Sequence, residues 1–461
     1  MRKILTVALL CASLSSFGNI RLPNILSSNM VLQQQSKVKL WGAADPNEKI
    51  AITTSWDNKA YEVIATNNAR WEILVETPAA GGPFTITLKG KNTIVLNNIL
   101  IGEVWVCSGQ SNMEMNGMGV EGMKEELPVS RNPNIRFFHI PKTTSLHPQD
   151  NCAGEWTICD SSTLKSFSAV GYFFGKRLNS NLNIPIGLVN ASWGGTAAEI
   201  WTPDSIINAD PVLKQAATKI SIPGGRPYIP GYAFNGMIAP ITNYAIAGTI
   251  WYQGENNTGT AKTYAKLLAT MIDSWRTLWQ KDFPFYLVQI APYKYGIKNS
   301  GALLREAETQ VADHHPNTGM VVITDLVADT NNVHPTNKKD VGLRLANLAL
   351  AETYHKNGFA YKSPAFKSLN IKGNKAIVTL DSAVQVKGKT ATEFVIAGED
   401  QVFYPADVSI KNNTLTVSSK EVKTPVAVRF GFRNTAVGNV FSKEGLPLAP
   451  FRTDSWEVEM K

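Results

Sequence analysis

From Ile20 to Ile99 the apolar residues come in short runs broken by polar ones. VKLWGAA, KIAITTSW, YEVIAT, WEILVET and FTITLKG are bounded by Asp, Asn, Gly and Pro. This pattern predicts short strands, hence an antiparallel β region over 19–99. The texture changes from Leu100. Apolar strand candidates (EVWVCS, IPIGLVNAS, IAGTIWYQ, FYLVQIA, GMVVITD) alternate there with helical segments. Tyr264, Leu267, Leu268, Met271, Trp275 and Leu278 make one stripe of a helix over 261–279. A second helix covers 168–182. A third follows His334, with Asn337 as its cap, Asp340 in the first turn, and Val341, Leu345 and Leu348 facing inward. Strands alternating with helices predict an α/β fold, a doubly wound parallel sheet over 100–358. The β pattern returns after Tyr361 (FKSLNIKG, KAIVTLD, EFVIAG, LTVSS, VAVRFGF), giving a C-terminal β region over 359–461.

The first eighteen residues fit neither pattern. Arg2 and Lys3 precede an apolar stretch from Ile4 to Leu10, and small residues follow at Ala12, Ser13, Ser15 and Ser16. This is the layout of a secretory signal, so 1–18 is expected to be removed on export to the periplasm or medium. Cys11 follows Leu10 rather than a small residue, which favours free export over a lipid anchor. No later stretch is long and apolar enough to span a bilayer. Export leaves Cys107, Cys152 and Cys159. The last two are close enough in sequence to close a small loop in an oxidising compartment, and Cys107 reads as a buried, inert thiol. At 461 residues, 44% hydrophobic and 18% charged, the chain has globular composition and room for two or three domains. The net charge of +8 is scattered without a basic run, which gives no nucleic-acid footprint.

In an open parallel sheet, ligands bind beyond the carboxyl ends of the strands. The segments there are CSGQSN, NASWGGT, WYQGENN and DLVADTNNVHP. A serine hydroxyl needs a base and oxyanion donors before it becomes a useful nucleophile. Ser111 is the candidate. Among six histidines, only His334 lies in a loop at that edge, just before Pro335 and a capped helix. Candidate donors are the Ser111 N–H at a helix start, the backbone at Gly194 or Gly195, and the side-chain amides of Gln253 and Asn256. Glu255 is placed to orient a neighbour by hydrogen bonding. Neither GxSxG nor HExxH occurs, and no Cys/His set has zinc spacing, so no metal or cofactor is called for.

GQSNM around Ser111, SWGGT followed by AEIWTP, WYQGEN, and NTGMVVITD leading to VHPTNKKDVGLRLA together resemble the sialate O-acetylesterase family of SGNH hydrolases, as does LPNILSSNMVLQ near the start. The resemblance implies a flavodoxin-like catalytic domain with accessory β regions. It implies hydrolysis of O-acetyl esters on an acetylated glycan, without metal or cofactor. It implies Ser111 as nucleophile, His334 as base, and Gly195 and Gln253 as oxyanion donors, with Asn256 as second choice to Gln253. In that family the histidine is preceded by an acid in Asp-x-His-Pro, where this chain has Asn332. Asp329, Asp325 or a main-chain carbonyl then remain as orienters of the imidazole. Acetylated xylan or xyloglucan is the alternative substrate. A non-catalytic glycan-binding protein on the same scaffold is the alternative from another class.

Overall fold

The computed structural model describes residues 19–220 and 225–460. The expected export signal at 1–18 lies outside them. Six short strands open the chain: β1 Val31–Gln33, β2 Lys37–Ala43, β3 Lys49–Thr54, β4 Ala60–Ile64, β5 Arg70–Glu76 and β6 Gly81–Lys89. β2 pairs antiparallel with β5, and β3 with β4 and β6. The next strand, β7 Thr93–Gly109, has 17 residues and belongs to two assemblies. Its first part pairs antiparallel with β6 and its last part runs parallel between two core strands. The boundary expected at residue 100 therefore falls inside one continuous strand.

The core sheet adds β8 Asn132–His139, β9 Trp156–Cys159, β10 Ile186–Ser192, β11 Gly248–Tyr252, β12 Phe285–Val288 and β13 Thr318–Val321. The order is β13-β12-β11-β7-β10-β8-β9. Every neighbouring pair is parallel except β8 with β9. The chain builds outward from β7 on one side, returns through β10, and then crosses to β11 on the other. The carboxyl end of β7 is therefore a topological switch point, where the loops after β10 and β11 diverge and leave a crevice.

Alternation along the strands sorts the core into two faces. Val104, Val106 and Trp251 pack in one cluster with helices α3 Ala261–Trp279 and α4 Ser300–His314. Trp105, Cys107, Ile250 and Tyr252 pack in the other with α2 Ala169–Leu182 and α5 Lys338–Glu352. A fifth, one-turn helix, α1 Ser111–Glu114, follows β7 directly. The stripe on α3 is buried from Tyr264 to Trp275, but Leu278 stays 45% exposed and Trp279 points inward instead. Four residues from Trp275 return to the same face of a helix, and three do not quite reach it. Asn337 caps α5 as expected, its side chain accepting the Asp340 N–H.

After α5 the chain forms short antiparallel strands from Phe366 to Arg452 around a separate apolar cluster. They are tied to the α/β core through α4, where Arg305 donates to the Arg433 carbonyl at 2.6 Å and Arg452 pairs with Glu306. The loop that Cys152 and Cys159 could close is not closed by a disulfide. Both are free, buried thiols, and burial pushes each up to about 12, far from the thiolate. Cys107 is likewise buried, with its thiol pushed well up.

Candidate active site

β7 ends at Gly109, with a φ of 133° that disfavours any side chain. A Cβ there would lie 2.2 Å from the Tyr252 carbonyl oxygen, so glycine alone lets the ends of β7 and β11 close up. The Gln110 N–H donates to that same carbonyl at 3.0 Å. The next residue, Ser111, opens α1 and leaves its side chain half-exposed at the crevice. From the far end of the domain, the loop after β13 brings in His334, whose Nε2 lies 2.8 Å from Ser111 Oγ. The two candidates, 223 residues apart in sequence, are in hydrogen-bond contact.

The ring of His334 has no carboxylate behind it among the described residues. Asn332 is exposed, and its Oδ1 accepts the backbone N–H of His334 at 2.9 Å rather than the imidazole. Asp329 turns back onto the N–H and amide of Asn331. Short polar side chains readily close such local loops with their own backbone. Asp325 holds Arg344 through both oxygens, at 2.7 and 2.6 Å. None of the three sequence candidates orients the imidazole through its side chain. Burial, and then the charge of Lys338, hold His334 below its ordinary pKa, so the ring is neutral at neutral pH.

Gln253, expected as an oxyanion donor, lies buried with its amide bonded inside the protein. It has no solvent exposure. Its Nε2 donates to Gln110 Oε1, the Thr196 carbonyl and Asn257 Oδ1, and its Oε1 accepts from Tyr264. Gln110 passes the arrangement forward, its Nε2 donating to Asn256 Oδ1 at 3.1 Å. Asn256 is half-exposed, and no acceptor among the described residues takes its Nδ2. Around the glycines, the Gly194 N–H donates to the Glu114 carboxylate, which also pairs with Lys142. Gly195 has a φ of 73°, and no acceptor among the described residues takes its N–H. A Cβ on Gly194 would lie 3.1 Å from that of Ser111, which places this loop directly against the candidate nucleophile.

Beneath the pair lies a buried polar hub. Asn112 donates to Glu255 Oε1 at 2.5 Å and to the Val333 carbonyl at 3.0 Å, and accepts from Lys338 Nζ at 2.5 Å. Glu255 does orient a neighbour, as expected, but the neighbour is Asn112. Burial raises Glu255 and pushes Lys338 down to about 7. Asn112 thus joins α1, the β11 loop, the histidine loop and α5. Gln110 and Asn112 flank Ser111 in the motif itself, so a signal for them was present. Lys338 carried none, because its partner is 226 residues away. Trp251 and Tyr252 are core residues, whereas Trp193, next to Gly194, is only half-buried. Among the described residues no cluster of His, Cys, Asp and Glu is placed to hold a metal ion.

Comparison with known proteins gives this arrangement a context. The family model described as carbohydrate esterase, sialic acid-specific acetylesterase matches residues 101–351, the stretch that holds every loop above. The chain is 27% identical to the sialate O-acetylesterase of Homo sapiens over 470 residues, covering 92% of this chain and 90% of that one. The Pongo abelii sialate O-acetylesterase is 26% identical over 469 residues, with the same coverage. Among solved structures, a carbohydrate acetylesterase from Xanthomonas citri superposes with a TM-score of 0.87 at 34% identity, covering 95% of this chain and all of that one.

Proposed function

The chain belongs to the sialic acid-specific acetylesterase family of carbohydrate esterases, and from that premise we propose that it removes O-acetyl groups from sugars through a serine–histidine acyl-enzyme mechanism. It is a carboxylic ester hydrolase, and the reading of a non-catalytic glycan-binding protein falls away. The observation that carries the mechanism is the 2.8 Å contact between His334 Nε2 and Ser111 Oγ.

In this reading Ser111 Oγ attacks the acetyl carbonyl while neutral His334 takes its proton. The oxyanion is met by the N–H groups of Ser111 and Gly195 and by the Asn256 amide. Asn256 replaces Gln253 here, since the Gln253 amide already has three acceptors. His334 then gives its proton to the departing sugar hydroxyl, and water repeats the cycle to release acetate. The pair works as a dyad, its geometry set by the loop bonds at Asn332 and Val333 rather than by an acid behind the ring. The flavodoxin-like SGNH arrangement belongs to the same proposal, with the N- and C-terminal strands as accessory regions. So does export, on the strength of the first eighteen residues. Acetate release from O-acetylated sugars, measured beside Ser111→Ala, tests it. Release that survives the substitution overturns the assignment of the nucleophile.

A further inference from the structure

Arg226 is a cation that the mechanism above does not use. Arg226 lies across the α-carbon of Gly195. A Cβ at 195 would meet Nη1 at 2.3 Å, Cζ at 2.7 Å and Cδ at 2.8 Å. Gly194, one residue back, abuts Ser111. Ser111, Gly194, Gly195 and Arg226 therefore form an unbroken line of contact from candidate nucleophile to guanidinium. The loop is anchored five residues on, where the Gly231 N–H donates to the Glu199 carbonyl at 3.1 Å. Arg226 itself is exposed, and no carboxylate among the described residues pairs with it. Glu114 is engaged with Lys142 and the Gly194 N–H, and Glu199 is buried with one oxygen on Asn257. Arg305, in contrast, is buried against the C-terminal strands.

We propose that Arg226 is a specificity-determining residue that binds a carboxylate on the acetylated sugar, so that the preferred substrate is an acidic glycan rather than a neutral one. This rests on the serine esterase reading of the same crevice. A guanidinium offers a planar fork of donors that matches a carboxylate through two parallel bonds. Its contact with Gly195, a proposed oxyanion donor, puts it within reach of the sugar that carries the acetyl group. Half-buried Trp193, next to Gly194, supplies apolar surface beside it. Sialic acids and hexuronic acids share the required carboxylate.

The test compares kcat/KM on 9-O-acetyl-N-acetylneuraminate, O-acetylated oligogalacturonide and neutral acetylated xylo-oligosaccharide. The readout is the acidic-to-neutral ratio. Arg226→Gln is expected to lower that ratio about tenfold or more, as loss of a charge-assisted bond does, with Arg226→Lys falling between. Whichever acidic substrate shows the drop identifies the source of the carboxylate. An unchanged ratio, or a wild type that favours the neutral substrate, overturns the proposal. A second measurement needs no variant. N-acetylneuraminate or galacturonate should inhibit wild-type hydrolysis of p-nitrophenyl acetate more strongly than its methyl ester, and equal inhibition overturns it as well. A wild type inactive even on p-nitrophenyl acetate would overturn the serine esterase reading, and this one with it.

Discussion

At the scale of single residues, the site separates groups that meet the substrate from groups that hold them. Ser111→Ala and His334→Ala are each expected to cut kcat by about 10⁴-fold or more, with the double variant little worse, because a nucleophile and its base act as one unit. Steady-state turnover on a generic acetyl ester measures this. Asn332 makes the opposite case. Removing a triad acid costs about 10⁴ in turnover when the acid orients the ring. Here the Asn332 side chain holds only a backbone N–H, so Asn332→Ala should cost less than about tenfold on the same assay. A loss near the triad value would show that the ring depends on this side chain after all. The direction of the His334 shift gives a pH prediction. A lowered pKa means that the ring loses its proton at a pH below the ordinary value, so the base is available earlier on the acid side. The acid limb of kcat/KM should therefore lie below pH 6.5, the ordinary value for histidine. A limb above that value contradicts the buried, cation-flanked setting. Most of these residue types could be read in advance, since nucleophile, base and glycines sit in short motifs. The orienting acid could not. Its role depends on which way one short side chain turns, and Asp329 and Asn332 both turn to their own backbone.

At the scale of elements, the site is made where three strand ends meet one helix start. β7, β10 and β11 were legible because strands buried on both faces read as dense apolar runs. α3 was legible because its stripe repeats for about three turns, from Tyr264 to Trp275, although Leu278 at its end falls outside it. How those elements are locked together was not. Asn112 on α1 reaches the β11 loop, the histidine loop and α5 through one amide. Asn112→Leu should keep the fold but lower kcat roughly 10- to 100-fold with a smaller change in KM, as a buried hub loses about 1–3 kcal/mol of bonding. Parallel losses in kcat and in melting temperature would reduce the role to stability alone. Gly109→Ala tests the other lock. The added methyl meets the Tyr252 carbonyl at 2.2 Å, and the residue also sits at positive φ. The strand ends must then part, and both soluble yield and activity should collapse.

At the scale of the whole molecule, the long strand β7 makes the N-terminal strands and the α/β sheet one piece, while the C-terminal strands keep their own apolar cluster and bond through α4. None of the three described cysteines is paired, so the thermal midpoint should be the same with and without reductant. A drop on reduction would mean that Cys152 and Cys159 bridge in solution. By itself the sequence determined the alternation of strands and helices, the C-terminal edge as the place to search, and Ser111 and His334 as the residues to pair. Those follow from local periodicity and from residue chemistry that short stretches carry whole. Only the tertiary structure decided that the two touch, that Gln253 is fully buried while Asn256 stays half-exposed, that no acid among the described residues backs the histidine, and that Arg226 lies against Gly195. Each of those depends on side chains far apart in the chain competing for the same few hydrogen-bond partners, and a competition of that kind is settled only when the strands have been brought together.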